Sequence, residues 1–135
     1  MANFKVVYLR DLRTEMTHLA SGTTILTDAP VDNKGKGEVF SPTDLAASSL
    51  AGCMLTIMGI AAQEQGFSID GATAHVTKIM NSNPRRIGEI HIDLVFTQSF
   101  TDQQKRLLKH ISKTCPVALS LHPDLKQIVH LNFEN

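Results

Sequence analysis

Residues 41–66, SPTDLAASSLAGCMLTIMGIAAQEQG, carry no charge between Asp44 and Glu64. The stretch opens with the signals of a helix. Ser41 suits the N-cap, where its hydroxyl takes an orphan backbone N–H, and Pro42 suits the first helical position, whose N–H has no partner anyway. Asp44, three residues on, completes an acidic capping box and faces the positive end of the helix dipole. Gly66 is a ready stop. A helix apolar or small on nearly every face must be buried on every face, so the rest of the chain has to wrap this one. Its length is close to that of a membrane span. However, Ala, Ser, Gly and Thr dilute the hydrophobicity, acidic residues bound both ends, and no aromatic belt or basic flank is present. A water-soluble helix is the expectation.

The other elements follow in order. FKVVYL (4–9) and residues 14–20 predict two strands, with Arg10–Arg13 as the turn between them, and Thr23–Thr27 predicts a third after Ser21-Gly22. DAPVDNKGKGEV reads as an exposed loop. Its Lys34-Gly35-Lys36-Gly37 is no phosphate loop, since the GKS/GKT ending and a preceding buried strand are absent. Residues 72–80 alternate as a strand, Asn81–Pro84 turn, and Ile90, Ile92, Leu94 and Phe96 share one face of a long strand. Thr101 and Gln104 announce a capping box. The helix behind it carries a stripe of Leu107, Leu108, Ile111 and Cys115, which Pro116 interrupts. A short helix over 117–121 and a strand over 127–133 close the chain. The order predicts a single α+β domain over 1–135.

Charge excludes some classes of function. Thirteen basic and thirteen acidic side chains cancel, so no overall field draws nucleic acid or an anionic membrane, and the few aromatics offer no base-stacking platform. Residues 1–15 are charged throughout, unlike a secretory leader, which makes the cytoplasm the expected compartment. The six histidines, at 18, 75, 91, 110, 122 and 130, show no HxxxH or HxH spacing, and no CxxC is present. No metal site and no cofactor is expected.

The two cysteines carry the chemical interest. Cys53 sits mid-helix among apolar residues, which raises a thiol pKa and leaves it inert. A buried free cysteine is often only a small hydrophobe. Cys115 stands before Pro116 at a helix start, where the dipole lowers a thiol pKa, so residue physics alone ranks it the better nucleophile. Both lie on helices that must pack into one core, where they could meet as a redox pair.

FSPTDLAASSLAGCMLTIM followed downstream by TCPVALSL resembles the OsmC/Ohr family, the osmotically inducible and organic hydroperoxide resistance proteins. The resemblance spans most of the chain. It implies an OsmC-like fold, in which antiparallel sheets wrap a long buried central helix in an intertwined homodimer. It also implies a peroxidase without metal, haem or flavin, in which Cys53 attacks an organic hydroperoxide, Cys115 resolves the sulfenic acid, and an external dithiol reduces the disulfide. This reverses the order drawn from the helix end. The family's reductases activate the thiol with an N-terminal arginine anchored by a glutamate near the start of the central helix. The glutamate position is Thr43 here, which cannot form an ion pair, and Asp44 is turned away by about 100°. Glu38 is the substitute, and Arg13, rather than Arg10, matches the arginine. Two other readings stay open: a non-catalytic protein binding a small hydrophobic ligand between protomers, and a thiol redox sensor.

Overall fold

The computed structural model describes residues 1–134 and follows that element order closely. Strands β1 (Phe4–Arg10), β2 (Arg13–His18) and β3 (Thr24–Asp28) precede helix α1 (Pro42–Gln65). After it come β4 (Thr73–Asn81), β5 (Arg86–Phe96), α2 (Asp102–Ile111), α3 (Pro116–Ser120) and β6 (Lys126–Phe133). The strands form two three-stranded sheets, β1-β2-β3 and β4-β5-β6. The chain divides into two compact units, residues 1–46 and 47–135.

The first unit is an antiparallel meander. Its first turn falls where the sequence places it, at Arg10–Arg13. Arg10 pairs with Arg13, leaving Asp11 and Leu12 as the central pair, both at positive φ (55° and 63°). That is the geometry a two-residue hairpin needs, usually met by Asn-Gly, and it explains why the turn has no clear sequence signal. After β3 the chain forms a 3-10 turn at Val31–Asn33 and folds back on itself. Gly35 N and Gly37 N donate to Pro30 O and Ala29 O, and Asp28 N donates to Phe40 O at 3.1 Å. Gly35 is required here, because a Cβ at this position would lie 1.8 Å from Ala29 O. The start of α1 is capped as expected: Asp44 N donates to Ser41 Oγ at 3.0 Å, and Ser41 N donates to Asp44 Oδ2 at 2.9 Å.

The second unit holds the hydrophobic core. Leu50, Met54 and Met58 of α1 recur at helical spacing and pack with Ile90, Ile92, Leu94 and Phe96 of β5, Leu108 of α2 and Cys115. Removing each such side chain from water contributes on the order of 1.5–3 kcal/mol. Phe96, Phe100 and Phe133 extend the core, with Phe96 stacked on Phe133 at 5.1 Å between centroids. The Thr101–Gln104 capping box of α2 forms in both directions.

Two expectations are corrected. The sheets are not wholly antiparallel, since β6 runs parallel to β5, with Asp93 opposite His130 and Leu94 opposite Leu131. The reason is the connection: α2 and α3 lie between the two strands and supply the long crossover that parallel pairing requires. Nor is α1 buried all round within this chain. Ala47, Leu50, Ala51, Met54, Met58, Ala61 and Ala62 are buried, while Ser49, Gly52, Thr56, Ile60 and Gln63 form an exposed stripe. By length and composition α1 would also pass as a membrane span, but its buried side packs as a core helix.

Candidate functional site

Cys53 faces outward from the buried stripe of α1 enough to remain half-exposed, and it packs against the core edge. Cys115 is the N-cap of α3, held in extended geometry (φ −60°, ψ 128°) ahead of Pro116. It is fully buried. Both thiols are free. Cys115 Sγ lies 3.9 Å from Leu50 O, a carbonyl within one turn of Cys53, and Cys53 is among the groups that act on its ionisation. The structure therefore brings together the two cysteines that lie far apart in sequence.

The lowered pKa expected of Cys115 from its place at a helix end is not what its surroundings produce. Burial, first, and the hydrogen bond with Cys53, second, push the Cys115 thiol above its ordinary value. The backbone N–H groups of Ala118 and Val117 pull the other way, as a helix end should, but they are outweighed. A helix of five residues has a small dipole, whereas removal from water disfavours the thiolate directly. Cys115 is thus a protonated, inaccessible thiol beside an accessible one.

The charged residues singled out in the sequence lie in the first unit. Arg13 and Asp28 stand directly opposite each other on β2 and β3. Arg13 donates from Nε to Asp28 Oδ1 at 2.7 Å and from Nη2 to Asp28 Oδ2 at 2.8 Å, a bidentate pair. The hydrogen bond to Asp28 raises the Arg13 pKa, and the same bond holds the Asp28 carboxyl below its usual range. Glu38 Oε1 is 3.6 Å from Arg13 Nη2, and its side chain is 62% exposed. Glu38 is therefore a secondary partner of Arg13, and Asp44 is occupied by the helix cap. Asp28, at 1% exposed, is the residue sequence reasoning missed. Its signal was the register of the second hairpin: with Thr17 opposite Thr24, counting along β2 and β3 places Asp28 opposite Arg13. Arg10 is exposed, at the hairpin end.

Among the described residues no three His, Cys, Asp or Glu side chains gather as a metal-binding group. A cavity of about 710 Å³ lies in the second unit, where Met54, Ala118 and Leu131 meet Lys109, Lys113 and His130.

The sequence profile of OsmC-like proteins matches residues 35–128, a span that includes both cysteines. The chain belongs to the OsmC-like protein family. A solved structure from Psychrobacter arcticus, named as an osmotic stress induced and detoxification response protein, is 52% identical to it. The alignment covers 98% of this chain and 96% of that one, with a TM-score of 0.94. The organic hydroperoxide resistance protein OsmC of Legionella pneumophila shares the fold at 16% identity, with 96% and 94% of the two chains covered and a TM-score of 0.71. The organic hydroperoxide resistance protein OhrB of Bacillus subtilis does so at 16% identity, covering 98% of each chain, with a TM-score of 0.67. No curated protein sequence matches the chain. The α+β fold with two sheets is thus that of OsmC-like structures, some of which are named for hydroperoxide resistance.

Proposed function

We propose that this OsmC-like protein is a cytoplasmic thiol peroxidase that reduces organic hydroperoxides. The observation that carries the reading is a half-buried thiol, Cys53, on the same helix whose Leu50 carbonyl lies 3.9 Å from the sulfur of a fully buried thiol, Cys115. In the reaction the Cys53 thiolate attacks the outer oxygen of the peroxide. An S–O bond forms as the O–O bond breaks, and the alkoxide takes a proton and leaves as an alcohol. Cys115 then gives up its proton and attacks the sulfur of the sulfenic acid; the hydroxyl departs as water and a Cys53–Cys115 disulfide remains. An external dithiol returns both thiols by exchange. The chemistry needs no cofactor. The raised pKa of Cys115 suits the second step, because a resolving thiol that stays protonated does not compete for the peroxide.

Arg13 is proposed as the cation that favours the Cys53 thiolate, by charge and by hydrogen bonding. The working unit is proposed to be a homodimer. The exposed stripe of α1 and the exposed apolar residues of β1, Phe4, Val6 and Tyr8 among them, need cover that this chain leaves incomplete. Obligate interfaces of this kind bury more than about 2,000 Å².

The test is a thiol titration before and after one equivalent of cumene hydroperoxide. Two thiols per chain should be lost and then recovered with a dithiol. Unchanged thiols would end the peroxidase reading, and a stable monomer at micromolar concentration in sedimentation would end the dimer.

A further inference from the structure

The cavity of about 710 Å³ in the second unit takes no part in the thiol reaction proposed above. Neither Cys53 nor Cys115 lines it, and its walls include neither the exposed stripe of α1 nor β1, the surfaces assigned to a partner copy. Its size falls within the range of about 300–1,000 Å³ typical of small-molecule sites. Part of the wall is apolar. Met54 is fully buried, and Ala118, Val129 and Leu131 are partly buried against the same core. Leu119 of α3 also lines the cavity, yet it is 73% exposed, a large apolar side chain left in water.

The rest of the wall is polar and carries an uneven charge. Lys109, in the last turn of α2, and Lys113, just beyond it, face the single carboxylate of Asp93 from β5. His130 apart, the wall thus has one positive charge in excess. Lysines at a helix C-terminus can serve the helix dipole alone. These two also border an apolar cavity, and among the described residues neither is held in an ion pair. The neutral polar groups beside them are already engaged. Ser112 Oγ donates to Lys109 O at 2.7 Å, Gln127 Nε2 to Ala118 O at 2.9 Å, and Asn132 Nδ2 to Leu94 O at 3.3 Å. The ammonium groups are the strongest donors left for a ligand.

We propose that this cavity binds a monoanionic amphiphile, a carboxylate joined to an apolar chain. The carboxylate pairs with Lys109 and Lys113, and the chain lies along Met54, Ala118, Leu119 and Leu131. A single negative charge matches the excess on the wall. A neutral ligand would desolvate the ammonium groups without giving them a partner, and a cation would be repelled. The proposal stands apart from the peroxidase reading, because a saturated carboxylate has no O–O bond to reduce.

The probe is octanoate, titrated calorimetrically into the reduced full chain, with octanol and octyltrimethylammonium as its neutral and cationic counterparts. Saturable binding of one octanoate per chain is expected, with both counterparts weaker by about tenfold or more. The double variant Lys109→Gln, Lys113→Gln should weaken octanoate about tenfold and leave octanol unchanged. Asp93→Asn should tighten octanoate, since it removes the carboxylate that opposes it. In protein carrying carbon-13 at its methionine methyls, octanoate should shift the Met54 signal, which is identified by its loss in Met54→Leu. Absence of saturable octanoate binding overturns the proposal. So does octanol binding as tightly as octanoate, an affinity unmoved by the lysine changes, or weaker binding in Asp93→Asn. Saturable binding that leaves the Met54 methyl unshifted puts the ligand elsewhere and overturns it too. If the double variant does not fold, each single lysine change should still weaken octanoate by about threefold, and no weakening overturns the proposal. Peroxide consumption is assayed separately: its absence ends the peroxidase reading and leaves the octanoate result standing.

Discussion

The two units of the chain are held together by different means. Residues 1–46 carry a fixed charge cluster, Arg13 with Asp28 and Glu38, on a sheet whose first strand is exposed along its whole length. Residues 47–135 carry both thiols in an apolar core, beside β5, whose Ile90, Ile92, Leu94 and Phe96 are fully buried. One half is organised by an ion pair and the other by apolar packing. This contrast makes single-residue changes informative.

The largest expected effect comes from the thiol half. Cys53→Ser should reduce hydroperoxide consumption to the background rate, since no other accessible thiol is present. Cys115→Ser should behave differently. It should still consume one equivalent of peroxide and hold a sulfenic acid on Cys53, which mass spectrometry after dimedone trapping detects, but it should form no intramolecular disulfide. If Cys115→Ser fails at the first equivalent and Cys53→Ser does not, the roles are reversed.

The second prediction contrasts the cores of the two halves. Leu50 is fully buried in α1, and Leu50→Ala should cost about 2–5 kcal/mol at any protein concentration. Val6 on β1 is 58% exposed in this chain, so Val6→Ala should cost no more than about 0.5 kcal/mol if the strand faces water. If a second copy covers β1, the cost of Val6→Ala appears in association and grows as the protein is diluted. Urea unfolding of both variants at two protein concentrations separates the cases. A small Val6→Ala effect independent of concentration removes β1 from the interface.

These contrasts also show what could be read before the structure. The cap of α1, the alternation along β5 and the Thr101–Gln104 box are local signals, written within a few residues, and all were legible. The family resemblance rested on the same helix and on the late CPV. What escaped depended on distance in space. Asp28 is an ordinary acid at the end of a short strand until the register sets it against Arg13. The helix-end argument for Cys115 was sound as local physics and failed because burial, a tertiary property, outweighed it. The parallel pairing of β6 was equally invisible, since strand sequence carries little information on direction.

A third, smaller effect tests one of those local signals. Thr101 Oγ1 accepts from Gln104 N at 3.1 Å, and Gln104 Oε1 accepts from Thr101 N at 2.9 Å. Thr101→Ala removes half of this exchange and should destabilise the protein by about 1 kcal/mol, leaving peroxide consumption unchanged. A loss several times larger would mean that α2 supports the thiol half more directly than its cap suggests.

The smallest effect at neutral pH is the linkage between Cys115 and stability. Its pKa is raised in the folded protein above the ordinary 9.0, because burial and the Cys53 contact favour the neutral thiol. The unfolded chain therefore releases this proton first as pH rises. Stability derived from the protonated thiol is complete below about pH 9 and is lost as pH climbs through the folded pKa. The reduced protein should accordingly become easier to unfold in urea between pH 9 and higher alkalinity, while Cys115→Ala, with no proton to lose, should show a flatter profile there. Both should be flat from pH 6 to pH 8 as far as this group is concerned. Oxidation to the disulfide should abolish the dependence in the parent as well. An alkaline slope that survives in Cys115→Ala would assign it to another group and remove the main electrostatic mark of the buried thiol.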